Sequence, residues 1–534
     1  MSRILVIGGY GGFGARLSRR LIGAGHIVLV AGRRFDKAAA FCVAHPGAEP
    51  VVADRTNGVG MVLARERPDL VIDAAGPFQG SGTTVPEACI AMRIPYLDLA
   101  DARDFVTGIG ALNKGAKIAV PIVSGASSLP ALSGAVVRKL AEGMDRVERV
   151  EIALSASNRA VAGPAVVAAI LSYVGKPVRL WRGRRWAQAA GWQELRRERF
   201  AIGGVAPLRR WVALAEVPDL SLIPEALPGR PAMTFRAGTE MGFQMLALWL
   251  LSWPVRWGWI GSLRGATGWL HRLHQMTGRI TSDRSAMAVT VTGSGVERRW
   301  TLIAERGDGP EIPTLAAQLL AEEVLAGRVA PGAQDAGGLL TLDQFEPLFA
   351  GLAIRHGIVE RPVAPLYARA MGNRFEALPG RVRAMHDMTG DAGADGEGQV
   401  RRGRGLAWLI GRMMGFPPAG SYPLHVSFAA AAGKERWTRD FGGHVFSSEL
   451  SLTGQGVAER FGPLRFAFDL PSDGKGLAMA LRGWTAFGVP MPRFLGPRIT
   501  AREWQEDGRF RFEVGVSLPL VGAVVHYAGW LARA

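Results

Sequence analysis

The run Gly9-Tyr10-Gly11-Gly12-Phe13-Gly14 carries the most specific chemistry in the sequence. A G-x-G-x-x-G run after an apolar strand and at the head of a helix is built to hold a pyrophosphate. Gly9 makes the tight turn, Gly11 lets the backbone approach the phosphates, and Gly14 lets the helix pack close to the strand. The helix N-terminus adds its unpaired N–H groups and the positive end of its dipole. About 20 residues on, NAD-binding folds carry an acid for the ribose 2′-hydroxyl. Here the chain reads Ala31-Gly32-Arg33-Arg34. Two guanidinium groups and no carboxylate suit a 2′-phosphate, so the expected cofactor is NADP.

Hydride chemistry needs orientation and one proton donor or acceptor beside the reacting carbon. Tyr96, Asp98 and Asp101 close the fifth expected strand, and Ser124, Ser127 and Ser128 follow the sixth. Of these, Tyr96, Asp98 and Ser127 are retained as catalytic candidates. Asp98 reads more readily as a hydrogen-bond hub in a βα loop, and the serines more readily as caps of a helix over Leu129–Leu140. No metal site is expected. His271 and His274 are three apart, but no carboxylate joins them at ligand spacing. The two cysteines, Cys42 and Cys89, exclude a disulfide scaffold and a Cys₄ metal site, and Cys89 is expected inside a helix as a small buried residue.

These groups need elements to position them. Apolar strands are expected at Ile4–Gly8, Ile27–Ala31, Val51–Ala53, Leu70–Ala74, Tyr96–Leu99 and Lys117–Val123, with helical segments between several of them. That alternation predicts a doubly wound parallel sheet. In the first helix, Leu17, Leu21 and Ile22 are expected to face the sheet and Arg16, Arg19 and Arg20 water. The chain is therefore read as α/β, with an N-terminal Rossmann domain over 1–125 and an α+β substrate and dimerisation domain over 126–356. Gly357–Pro365 reads as a linker, and an antiparallel β-rich domain with some helix fills 366–534. Within this last block Thr389–Gly398 reads as a loop. Phe510, Phe512, Val514, Val516 and Leu518 alternate with polar or small residues on a half-buried strand. Asp473-Gly474 and Asp507-Gly508 signal hairpin turns. Trp437, Arg439, Asp440, His444, Glu449, Glu459, Arg460, His526 and Tyr527 lie on or near these strands, and either a ligand pocket or an outer face would gather them.

Longer stretches resemble a known family. "VIGGYGGFGARLSRRL", "VLVAGRR", "VIDAAGPFQGSG", "ACIAMRIPYLDLAD" and "PIVSGASSLPALSGAVV" resemble the saccharopine dehydrogenase-like NADP-binding oxidoreductases in order and spacing. "GPEIPTLAAQLLAEEVLAG" and "GGLLTLDQFEPLF" look like that family's closing helices. The resemblance implies that Gly9, Gly11, Gly12, Phe13 and Gly14 form the phosphate loop and that Arg33 holds the 2′-phosphate. It also implies that Asp54 lies on the adenine side and that Ala75-Gly76-Pro77-Phe78 borders the nicotinamide ribose. The carboxylate-binding arginines of the amino-acid-forming members cannot be mapped onto this chain. "LYARAMG", "ERWTRDFGGHVFSS", "AERFGPLRFAF" and "LPLVGAVVHYAGWL" resemble the domain-of-unknown-function family 4166, which implies no chemistry.

The net charge is +17, and its cations are nearly all arginine, with lysine only at Lys37, Lys114, Lys117, Lys139, Lys176, Lys434 and Lys475. With abundant Ala and Gly this is the composition of a GC-rich bacterial genome, and no nucleic-acid-binding motif accompanies it. The N-terminus runs directly into a strand, so no signal peptide is expected and the location expected is cytoplasmic. The stretch 242–263 is strongly apolar, with Trp249, Trp253, Trp257 and Trp259 in it, Trp269 beyond, and Arg256, Arg264 and Arg272 nearby. Three readings stay open: core, lid or homodimer packing, peripheral membrane contact, and a spanning helix, for which the apolar run is short. The function expected is an NADP-dependent oxidoreductase acting on a hydrophobic, lipid-like carbonyl or enoyl compound. Reduction of an imine or amino-acid adduct is the alternative within enzymes, and a non-catalytic, NADP-bound, membrane-peripheral protein the alternative outside them.

Overall fold

The structure, a computed structural model, describes the chain except residues 116, 159–163, 264, 266–280, 455 and 534, and the side chains of 164–166. His271, His274, Trp269, Arg264 and Arg272 lie outside the described residues.

Six strands open the chain: β1 (Arg3–Ile7), β2 (Ile27–Gly32), β3 (Ala48–Val52), β4 (Leu70–Asp73), β5 (Tyr96–Asp98) and β6 (Pro121–Ser124). They form a parallel sheet in the order β6-β5-β4-β1-β2-β3, so the order of strand addition reverses between β1 and β4. Strands buried on both faces need continuous apolar runs, and Ile4–Ile7 and Leu70–Ile72 are fully enclosed. A seventh strand, Gly332–Asp335, returns from far along the chain to pair in parallel with β6. The helix α1 (Gly12–Gly23) buries Leu17 and Leu21 against the sheet. Its Arg16 and Arg20 do not simply face water, as expected. Both pair with Glu311, at 3.0 and 2.9 Å, at the start of the crossing helix Ile312–Leu325.

The second sheet is mixed. Strands Val147–Ala156 and Ala232–Thr239 are parallel at its centre, and Ser285–Gly293, Val296–Ala304 and Ile354–Pro362 continue it antiparallel. The segment expected as a linker, Gly357–Pro365, is therefore mostly an edge strand. Pro362 ends that strand, where an edge tolerates proline, and Pro365 lies beyond it at the cap of the helix Leu366–Met371. One face of this sheet packs on the helices Ser133–Ala141 and Asp219–Ala226, and the other holds a charged layer. Glu151 pairs with Arg196 at 3.0 Å and Arg236 at 3.2 Å, and Glu194 pairs with Arg182 at 2.6 Å and Arg236 at 3.0 Å.

The third block is a ten-stranded antiparallel barrel, closed where Leu464–Asp469 pairs with Gly476–Ala486. The expected loop Thr389–Gly398 is instead most of the strand Asp391–Arg402, which lies between Gly420–Ala431 and Gly522–Arg533. Its glycines are packing residues: a Cβ on Gly396 would come within 1.9 Å of the Trp530 carbonyl oxygen, and one on Gly398 within 2.7 Å of the Phe441 ring. Glycine in a strand marks such close approach as readily as it marks a loop. The barrel docks on the second domain through Asp391, which accepts a 2.7 Å hydrogen bond from the Gly183 N–H, and through Arg149, which donates to the Ala430 carbonyl.

Candidate functional site

One cavity of about 1710 Å³ runs between the first and second domains. Its walls begin at the glycine turn. Gly11 and Gly12 line it at the head of α1, while Gly14 sits behind, where a Cβ would lie 2.1 Å from the Gly8 carbonyl oxygen. At Gly12 an added Cβ would meet nothing within 4 Å, so the turn opens a space directly over the helix N-terminus. No acid and no side-chain cap occupies the first turn of α1, so its N–H groups remain available to an anion. Phe13 and Arg16 continue the wall.

Arg33, at the tip of β2, faces the cavity, and Asp54 stands nearby. The Asp54 carboxylate accepts from the Thr56 N–H at 2.9 Å and hydroxyl at 2.7 Å, which holds it below the usual carboxylate range. Arg34 serves the loop instead. Its N–H donates to the Tyr10 hydroxyl at 3.2 Å, it precedes the helix Phe35–Val43, and its side chain does not line the cavity. Ala75, Gly76, Pro77 and Phe78 border the cavity beyond β4. Arg55, which the sequence reading passed over, ties this loop down and lies 4.6 Å over the Phe78 ring. An open glycine cradle, a bare helix N-terminus and a cavity-facing guanidinium fit NADP.

Two of the catalytic candidates do not touch the cavity. Tyr96 is fully buried on the face of the sheet that packs against Cys89, and burial pushes its hydroxyl well above its usual pKa. Asp98 is also fully buried and acts as the hub. Its Oδ1 accepts from the Ala100 N–H at 3.0 Å, the Ser124 hydroxyl at 3.0 Å and the Gly125 N–H at 2.8 Å. Burial outweighs these bonds and raises Asp98 to about 6. The residue braces the β5 and β6 loops from behind, because alternation along β5 turns it away from the ligand side. Ser127 does line the cavity, and it makes no side-chain cap.

The structure gathers a different polar group at this end. Asp101 faces the cavity, and the Gln79 amide donates to it at 3.3 Å. Its side chain is exposed to the cavity space, and desolvation by the surrounding walls raises its pKa. Tyr173 and Glu216 lie on the same wall. Burial raises Tyr173 to about 12, and it raises Glu216 despite the Arg103 guanidinium 3.1 Å away. Tyr173 and Glu216 sit in a stretch of sequence with no motif, so only folding could join them to Asp101.

Beyond this polar group the cavity turns apolar. Phe235, Trp192 and Leu171 form its floor and side, and the helix Gly242–Arg256 covers it with Phe243, Ala247, Leu250 and Leu251. Met245, Leu248 and Val255 of that helix are buried against the second domain, and Leu246, Trp257 and Trp259 face outward. The helix runs past Pro254 to Arg256 although proline lacks the N–H that would bond the Leu250 carbonyl. Among the described residues no helix is long and apolar enough to cross a membrane, and no group of three or more His, Cys, Asp or Glu could hold a metal.

Residues 4–122 match the family model of the saccharopine dehydrogenase NADP binding domain, and residues 378–531 match that of a domain of unknown function, DUF4166. The first domain is thus an NADP-binding domain of the saccharopine dehydrogenase type. Among solved structures, the chain is similar to saccharopine dehydrogenase (L-Glu forming) from Saccharomyces cerevisiae at 12% identity. The match covers 67% of this chain and 100% of that one, with a TM-score of 0.45. An oxidoreductase of the short chain dehydrogenase/reductase family from Burkholderia thailandensis matches at 25% identity over 18% of this chain and 50% of its own, with a TM-score of 0.16. Gre2 in complex with NADPH from Candida albicans matches at 14% identity over 18% and 36%, with a TM-score of 0.17. Among curated proteins none matches the chain.

Proposed function

We propose, from an N-terminal domain of the saccharopine dehydrogenase NADP-binding type, that the protein is an NADP-dependent oxidoreductase of a hydrophobic, lipid-like carbonyl or enoyl compound. The observation that carries this reading is continuity: the glycine cradle and Arg33 open into the same cavity as Trp192, Phe243 and Leu250, with no wall between them. Bound NADP supplies or takes up a hydride. The chain's residues do the rest. Gly11, Gly12 and the start of α1 hold the pyrophosphate, Arg33 the 2′-phosphate, and Ala75–Phe78 the nicotinamide end. The apolar chamber expels water and aligns the substrate's body. Asp101, raised by desolvation, holds or accepts the proton at the reacting oxygen, with Gln79 orienting its carboxyl and Ser127 and Tyr173 beside it.

A small imino acid is the poorer fit. The basic residues that line the cavity, Arg16, Arg33 and Arg55, all belong to the dinucleotide half, and among the described residues none lines the apolar half to receive a carboxylate. Two measurements test the proposal: solvent extraction of the purified protein followed by mass spectrometry, and NADPH oxidation with long-chain aldehydes, ketones and enones against small cyclic imino acids. Turnover of apolar carbonyls or enones with recovery of an apolar ligand supports it. Turnover of imino acids alone overturns the substrate reading, and failure to bind NADPH overturns the whole.

A further inference from the structure

The barrel has two unlike ends. At one, the turns at Ala432-Gly433, Pro471–Lys475 and Asp507-Gly508 are polar, and the helices Leu366–Met371 and Gly380–His386 pack their buried faces into the barrel core. Strand register places the helix Leu406–Met413, the turn at Phe487, the helical turn Arg493–Leu495 and the loop at Leu520 together at the other end. There Val400 pairs with Gly420, Leu464 with Ala486, Arg498 with Ser517 and Leu518 with Gly522.

Each of these segments turns large apolar side chains to solvent: Leu406, Trp408, Met413, Phe487, Phe494 and Leu520. Phe487 is 84% exposed, Met413 80% and Phe494 76%. Exposed apolar residues scattered singly are ordinary, but a ring of them at one mouth marks a contact surface. The flanking sequence fixes the kind of contact. Residues 400–424, 442–448, 460–468, 476–502 and 514–525 contain no Asp or Glu, yet they carry Arg404, Arg412, Arg465, Arg493 and Arg498. The Arg412 guanidinium stands 5.7 Å over the Trp408 ring, an amphipathic pair suited to a membrane interface. Behind the ring, Ile410, Met414, Trp484 and Leu518 line a cavity of about 160 Å³, whose polar wall is Arg439, Glu459 and Glu503. A cavity of roughly 150 Å³ holds one benzene-sized group.

We propose that this end of the barrel is a bilayer-docking surface. The apolar ring enters the headgroup region of an anionic membrane, the arginines meet lipid phosphates, and the barrel cavity opens toward the lipid. The proposal stands on the barrel alone and does not depend on the reductase reading.

The test is flotation of the full chain with vesicles of equal parts phosphatidylcholine and phosphatidylglycerol, at low and high salt, beside vesicles of phosphatidylcholine alone. Binding to the anionic vesicles that weakens with salt is expected. The triple variant Phe487→Glu/Phe494→Glu/Leu520→Glu should bind at least about tenfold more weakly. Arg412→Ser and Arg493→Ser should each cost roughly fivefold. All these positions are exposed, so circular dichroism and NADPH titration serve as folding controls. Should the triple variant fail them, Phe487→Ser/Leu520→Ser carries the same test. No binding to anionic vesicles, or binding that these variants leave unchanged, overturns the proposal. So does loss of binding only in Leu246→Glu/Trp257→Glu, which would move the contact to the helix Gly242–Arg256. A dimer that Phe487→Glu dissolves, with no vesicle binding, would assign the ring to a second copy of the chain.

Discussion

The Arg55 guanidinium lies 3.1 Å from the buried carboxylate of Asp73 and donates a 2.7 Å hydrogen bond to the Ala75 carbonyl. One side chain thus neutralises the end of β4 and anchors the loop on which the nicotinamide end of the cofactor would rest. Burial still dominates and holds Asp73 up at about 7. Arg55→Met should push Asp73 higher and free the loop. The expected loss is about 1–3 kcal/mol of stability at pH 8. It should be smaller at pH 5.5, where Asp73 is already largely protonated. Urea denaturation at the two pH values measures both.

Arg33 should decide between the two nicotinamide cofactors. A charge-assisted pair with a phosphate is worth about 2 kcal/mol, so Arg33→Ser should weaken NADPH binding roughly thirtyfold and leave NADH nearly unchanged. Fluorescence titration with each cofactor checks this. An equal loss for both would mean that Arg33 supports the fold rather than the 2′-phosphate.

Gly14 admits no side chain, because its Cβ would meet backbone at 2.1 Å. Gly14→Ala should shift α1 from the strand turn, with loss of NADPH binding and about 2–4 kcal/mol of stability. Gly12→Ala, where the space is open, should fold normally and show any deficit only on cofactor addition. Thermal melts with and without NADPH separate the two cases.

Asp101→Asn should lower kcat by about 10²–10⁴-fold if the carboxyl handles the proton, with little change in NADPH affinity. On the same reading, the raised pKa of Asp101 predicts that the unmutated protein's kcat/KM titrates above the usual carboxylate range, and that Asp101→Asn removes this limb. A rate profile that keeps the limb would reassign it to Glu216, which burial also raises.

Stability should peak in mild acid. Burial raises Asp73, Asp219 and Asp391 from 3.8 to about 7, and Asp98 from 3.8 to about 6. A raised acid stabilises the fold below its unfolded pKa, and that contribution is lost as pH rises through the folded value. These four therefore favour folding near pH 4 and lose their contribution toward pH 7. Glu194 works the opposite way. Although burial opposes its charge, Arg182 and Arg236 hold it down at about 2, so its contribution is lost as pH falls from 4.5 toward 2. A melting temperature that rises from pH 8 to about pH 5 and falls below pH 4 is expected; a monotonic rise to pH 8 would show that the buried aspartates keep ordinary pKa values.

The sequence by itself determined the parallel α/β sheet of the first domain and NADP as its cofactor. The physical reason is locality. Gly9 to Gly14 and Arg33 sit in one β–α–β unit, where the turn, the helix end and the next strand tip are fixed by short connections. The alternation from Phe510 to Leu518 was legible for the same reason, since period 2 is written in consecutive residues. Tertiary structure decided which faces meet. Asp98 read as a hub or a site residue, and the fold makes it a hub, because its direction depends on which side of the sheet the cavity lies. Asp101, Tyr173 and Glu216 meet only because the second domain folds against the first. The strand Asp391–Arg402 looked like a loop because its glycines matter only when Trp530 and Phe441 press against them. The apolar helix Gly242–Arg256 had three readings in sequence, and its place over the cavity came from long-range packing against Trp192 and Leu171, which no local pattern encodes.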